Sequence, residues 1–196
     1  MSTVALTSPY RGLVPFGESE LDELLFFGRE RETEVLSAHL IASRLTVLYG
    51  PSGVGKSSLV RAGVARRVRE HGPDLACVVF SAWADDPLHR LAEAIGDAVS
   101  PLVSPTTPPA PDGATLADVA EHWSAALDGD LCLILDQLEE YFAYRDDGPL
   151  LDELPDLITR PGLRANVLLS VRDDQLARGS ACSRTTSRRS SPTRAG

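Results

Sequence analysis

A lysine and a serine stand at Lys56-Ser57, at the close of the run Gly50-Pro51-Ser52-Gly53-Val54-Gly55-Lys56-Ser57. This run satisfies the pattern GxxxxGK[ST], and its chemistry is the capture of a polyphosphate. Glycines let the chain curl so that backbone N–H groups of the run Gly50 through Ser58, Pro51 apart, converge on phosphate oxygens, and the following helix start adds its positive dipole end. Lys56 is expected to reach the β- and γ-phosphates, and Ser57 to bind Mg²⁺ through its hydroxyl. A second group stands far downstream. Leu131, Cys132, Leu133, Ile134 and Leu135 lead into Asp136, with Glu139 and Glu140 just beyond. A carboxylate at the carboxyl end of a buried parallel strand faces the ligand crevice, so Asp136 is the second candidate metal ligand. Glu139 or Glu140 is the candidate to orient and deprotonate an attacking water, with the choice between them open. Arg172, at the end of a further apolar strand, is either a sensor of the γ-phosphate or the ion-pair partner of Asp173 or Asp174.

Those groups work only if strands and helices deliver them to one place. Arg44–Tyr49 reads as a buried strand, and Ser57–Glu70 carries Leu59, Val60, Val64 and Val68 at helical spacing until Gly72-Pro73 stops it. The phosphate pattern therefore lies between strand and helix, as its chemistry requires. Residues 29–43 read as a helix and Leu75–Phe80 as a strand. Asp86 and Pro87 supply an N-cap and first-turn proline for a helix to Val99. Residues 100–113 are a proline-dense surface loop, and Thr115 with Asp118 forms a capping-box pattern for a helix to Leu127. Residues 130–138 read as a third strand, 150–158 as a short helix and 165–171 as a fourth strand. The alternation predicts an α/β fold, a three-layer α/β/α sandwich around a mostly parallel sheet, of the P-loop NTPase kind.

Composition sets limits on function. The chain has 196 residues and is 43% apolar, enough for one full core. Its net charge of −9 argues against a general nucleic-acid binder or a ligand of anionic membranes. No apolar run has the length of a membrane span and no signal-peptide pattern opens the chain, so a cytoplasmic protein is expected. Cys77 and Cys132 sit in apolar strands and Cys182 in a polar stretch, with no metal-binding spacing; the first two read as buried small hydrophobes. The four histidines are scattered singly, and Trp83 and Trp123 read as core residues. From Arg178 onward the chain holds five Arg, five Ser and no acid, so 178–196 is expected to form a basic, disordered tail.

Taken together, Pro9–Glu32 (PYRGLVPFGESELDELLFFGRERE), LTVLYGPSGVGKSSLVRAGV, LILDQLEEYF and VLLSVRDDQLA resemble the NTPase domain of bacterial STAND signalling proteins. The resemblance spans about residues 9–177 and implies a domain over 29–177, with the segment 1–28 packed on it. It implies a molecular switch, with ADP in the resting form, ATP exchange on stimulation, and oligomerisation or signalling partners downstream. It also implies adenine rather than guanine, and places Gly28, Arg29 and Glu30 near the base. The family continues into a helical lid, a winged-helix element and repeat domains, whereas here the pattern ends near Ala177. The tail therefore reads as a truncated or out-of-frame ending. Two functions stay open: an ATP-hydrolysing signalling switch of low activity, and a non-catalytic nucleotide-binding or interaction module whose tail contacts nucleic acid.

Overall fold

A computed structural model describes residues 28–144 and 148–173. The expected N-terminal segment, apart from Gly28, and the basic tail lie outside the described residues. The elements run α1 (Glu30–Ala42), β1 (Leu45–Gly50), α2 (Lys56–Ser58), a π-helical stretch (Leu59–Ala65), α3 (Arg66–Arg69), β2 (Leu75–Phe80), α4 (Pro87–Val99), α5 (Leu116–Leu127), β3 (Asp130–Leu135), α6 (Leu138–Tyr144), α7 (Pro149–Thr159) and β4 (Ala165–Arg172). All four strands are parallel, in the order β1-β4-β3-β2, so the sheet goes beyond the expected mostly parallel arrangement.

The alternation of side chains along β3 divides the molecule into layers. Leu131, Leu133 and Leu135 enter one core with Leu91, Ile95 and Val99 of α4, Trp123 of α5 and Leu150 of α7. Cys132 and Ile134 enter the other, with Leu40 of α1 and Leu59, Val60, Val64 and Val68 of the helix after the phosphate-loop sequence. Period-two alternation feeding two separate cores makes the sheet the middle of three layers. Each fully buried Leu or Ile contributes about 1.5–3 kcal/mol relative to exposure, so these cores hold the layers in register.

Local signals behave as their chemistry dictates. Asp86 caps α4 by accepting from the His89 N–H, with Pro87 at the helix start. The Thr115 hydroxyl accepts from the Asp118 N–H while the Asp118 carboxylate accepts from the Thr115 N–H, completing the capping box of α5. The Arg44 guanidinium donates to the carbonyls of Leu163, Ala165 and Arg160, and so ties the start of β1 to the approach to β4. Three expectations need correction. β1 is not a buried strand, because Leu45, Val47 and Tyr49 on one of its faces are exposed. β3 ends at Leu135 rather than running to residue 138, because Gln137 takes a left-handed backbone (φ 54°) and turns the chain into α6. The helix over 57–70 is not uniform, since its middle is π-helical.

Candidate functional site

The loop Gly50–Ser57 leaves β1 and enters α2 through Gly53 (φ 79°) and Gly55 (φ 83°), conformations that L side chains rarely adopt. Gly55 is constrained a second way, because a Cβ there would lie 3.2 Å from Arg29 Nη1. That Arg29 nitrogen donates to the Val54 carbonyl at 2.8 Å, bringing the start of α1 against the loop. Its neighbour Glu30 accepts from the Gly28 N–H at 2.9 Å, and this bond holds its carboxyl below the usual range. Lys56 Nζ donates to the carbonyls of Gly50 (2.7 Å) and Pro51 (3.0 Å), so its ammonium lies inside the curl of the loop. Pro51, Ser52 and Val54 complete the loop and Ser58 continues the helix.

Seventy-nine positions separate Ser57 from Asp136, yet the Ser57 hydroxyl donates to Asp136 Oδ1 at 3.2 Å. The carboxylate is wholly buried and its backbone is pinned on both sides. The Asp136 N–H donates to the Phe80 carbonyl at 2.8 Å, and Trp83 Nε1 donates to the Asp136 carbonyl at 2.8 Å. Trp83 is core, as expected, and also a support for the acid. Two oxygen donors this close, one hydroxyl and one carboxylate, suit a hard cation that draws its other ligands from phosphate and water. Among the described residues no group of three or more His, Cys, Asp or Glu forms a metal site.

Glu139 and Glu140 both lie in the first turn of α6, directly after the turn at Gln137. Glu139 Oε2 is buried and has no hydrogen-bond partner among the described residues. A carboxylate oxygen in that place is able to accept a hydrogen bond from a water or a ligand. Arg172 stands in register with Gly50 on the neighbouring strand, since β4 lies between β1 and β3. Ser57 and Asp136 are thus in contact, while Glu139 and Glu140 follow the carboxyl end of β3, Arg172 closes β4 in register with Gly50, and Arg29 is hydrogen-bonded to the loop.

One site residue was not singled out from the sequence. Arg61 Nε lies 3.3 Å from Asp136 Oδ2, and Arg61 Nη2 donates to Ser81 Oγ at 2.6 Å. The available signal was its position four residues after Ser57, on the same helix face. A separate cleft of about 800 Å³ lies between α4, α5 and the proline-dense loop. It shares no residue with the phosphate loop and is lined by Asp86, Glu93, Asp97, Asp112 and Glu153 without a Lys or Arg, which unsuits it to a polyphosphate.

A parallel sheet whose glycine-loop strand and acid-bearing strand flank a third, with Ser and Asp brought together at their carboxyl ends, defines a P-loop NTPase. The chain belongs to the family of novel STAND NTPase 1, whose model matches residues 9–191. Its fold is similar to that of the Aeropyrum pernix ORC2 protein, solved in ADPNP–ADP complexes (TM-score 0.58, 18% identity), with 82% of this chain and 45% of that one covered. It is also similar to a Walker-type ATPase of Pyrococcus abyssi (TM-score 0.54, 21% identity), with 82% and 48% covered. The chain thus spans less than half the length of these structures, and at such identities the likeness is one of fold. No curated protein matches the chain. Among the described residues, no helix is long and apolar enough to cross a membrane.

Proposed function

We propose that this NTPase domain binds ATP and ADP with Mg²⁺ and hydrolyses ATP, as a STAND-type signalling switch acting in the cytoplasm through oligomerisation or partner proteins. The observation that carries the reading is the Ser57–Asp136 contact beside a lysine enclosed by a glycine loop. Lys56 exchanges its two loop carbonyls for β- and γ-phosphate oxygens. Ser57 and Asp136 hold the Mg²⁺, which when bound offsets the charge on those oxygens. Glu139, whose buried oxygen has no partner among the described residues, orients a water and takes its proton. The water oxygen bonds to the γ-phosphorus as the bond from the bridging oxygen breaks, releasing phosphate and leaving ADP. Arg172, beside Gly50, counters charge on the transferring group. The adenine preference and the switch cycle are supported by family membership rather than by a base-reading side chain.

Calorimetric titration of ATP and ADP with Mg²⁺ into the wild-type chain and Lys56→Ala, with phosphate release followed on the same samples, tests this reading. Binding lost in the variant, together with turnover in the wild type, is the expected result. Binding without turnover would leave a non-catalytic nucleotide module. A folded chain that binds neither nucleotide would overturn the proposal.

A further inference from the structure

Arg61 lies outside the phosphate-binding pattern, yet it forms an ion pair with the buried Asp136. The two oxygens of that carboxylate have separate partners. Oδ1 accepts from Ser57 and Oδ2 faces Arg61 Nε. Ser57 and Arg61 are four residues apart, one helical turn, so a single face of the helix presents the hydroxyl to one oxygen and the cation to the other. The far nitrogen of the guanidinium, Nη2, is anchored on Ser81 immediately after β2. The guanidinium therefore joins three segments, the helix after β1, the end of β3 and the end of β2. Its side chain is 25% exposed, against 0% for Asp136, so the charge pair is shielded on its acid side and is not a screened surface contact. Arg61 also lies in the π-helical stretch Leu59–Ala65, a form that recurs at functional sites.

We infer that Arg61 is a positioning residue for the divalent-cation half of the nucleotide site: by holding Asp136 Oδ2 from the Ser81 anchor, it fixes the carboxylate so that Oδ1 faces Ser57 and the metal. The inference rests on the nucleotide reading given above. A carboxylate held through one oxygen alone can swing about its Cβ–Cγ bond. One held through both, by groups on a rigid helix, cannot. Only an arginine has the planar fork to span Asp136 and Ser81 at once, because a lysine ammonium is a single point of charge on a flexible stem. The Ser57 hydroxyl and Asp136 Oδ1 then meet the cation with their geometry already set, and the guanidinium stays on the opposite oxygen. Groups that orient a metal ligand from behind are often worth about 10- to 100-fold in metal affinity.

The test is ADP affinity with EDTA and with Mg²⁺, by calorimetry, in the wild type, Arg61→Ala, Arg61→Lys and Ser81→Ala. Manganese replaces magnesium in a parallel series, so that bound metal is read directly by electron paramagnetic resonance. In Arg61→Ala the gain in ADP affinity conferred by the cation should fall by about 10-fold or more, with affinity in EDTA little changed. Arg61→Lys and Ser81→Ala should lie between it and the wild type. Affinity in EDTA and with Mg²⁺ falling together would assign Arg61 a merely structural role and overturn the inference. So would an unchanged cation effect, or tighter manganese binding, which would make the arginine a competitor for the site. If Arg61→Ala does not fold, the Lys and Ser81 variants decide by the same ratio. A wild type that binds no nucleotide removes the reading beneath the inference, whereas a wild type with a normal cation effect retained in every variant removes the inference alone.

Discussion

Glu139 and Glu140 are adjacent in sequence and identical in chemistry, and their surroundings separate them. Glu139 has a buried oxygen without a partner among the described residues. Glu139→Gln should therefore leave ATP affinity nearly unchanged and lower the rate of phosphate release by about 10²- to 10⁴-fold, with Glu140→Gln close to wild type. The reverse ranking would transfer the base to Glu140. Cys132 offers a residue-scale test of the core. Burial, aided by the nearby charge of Asp130, pushes its thiol up to about 12. The folded state thus holds this proton more tightly than the unfolded chain. Its contribution to stability is full below the ordinary thiol range and is lost as pH rises from there towards about 12. Iodoacetamide at about pH 8.5 should leave Cys132 unmodified in the native protein and alkylate it in urea, read by peptide mass; modification of the native thiol would mean that the β3 core opens. Lys56, Ser57 and Asp136 were legible in the sequence because two motifs each constrain residue type and position. Arg61 was not, because it is one of four arginines in its helical run and its spacing from Ser57 does not single it out without the contact with Asp136.

At the scale of elements, the phosphate loop depends on backbone that a side chain resists. Gly55→Ala places a Cβ at φ 83° and 3.2 Å from Arg29 Nη1. The left-handed conformation alone costs about 1–2 kcal/mol, so a lower melting temperature and weaker ADP binding are expected together. Retained binding would show that the loop has another shape when occupied. The capping box of α5 gives a cleaner measurement, because it lies in another layer. Thr115→Ala should cost about 1 kcal/mol, or about 2–4 °C in melting temperature. The carboxyl of Asp118 is held below its usual range, first by the hydrogen bond from Arg160 and then by the Thr115 hydroxyl. Its stabilising effect is present above the ordinary carboxylate range and is lost as pH falls through the lowered value, so acid melts of Thr115→Ala should show a shallower loss than wild type. Caps were readable because each is a local chemical fit of a side chain to a neighbouring N–H. The short helix α6 was hidden because Leu138 extends the apolar run of β3, and a single left-handed residue, Gln137, decides where strand gives way to helix.

At the scale of the whole molecule, β1 forms one margin of the sheet among the described residues. Leu45, Val47 and Tyr49 are 40%, 44% and 66% exposed, and they alternate along the strand, so one face of that margin carries an apolar stripe. Edge strands of this kind pair with other chains unless charged or covered. Val47→Lys should alter stability by no more than about 0.5 kcal/mol and should reduce concentration-dependent light scattering. An unchanged scattering profile would show that this margin is not where copies meet. Alternating strand and helix patterns made the layers legible from sequence, but not the order of the strands, because order follows from which crossover packs against which face. That order has a consequence in time. β1 and β3 each pair with β4 and not with each other, so the first-made and the acid-bearing strands stay apart until the last of the four slots between them. Contacts over such sequence separations form late, since loop closure must precede them. During synthesis the lysine loop would exist long before its aspartate partner is drawn alongside it. A nascent chain that holds nucleotide through both groups has therefore already set β4 between β1 and β3, and the ligand would report that step.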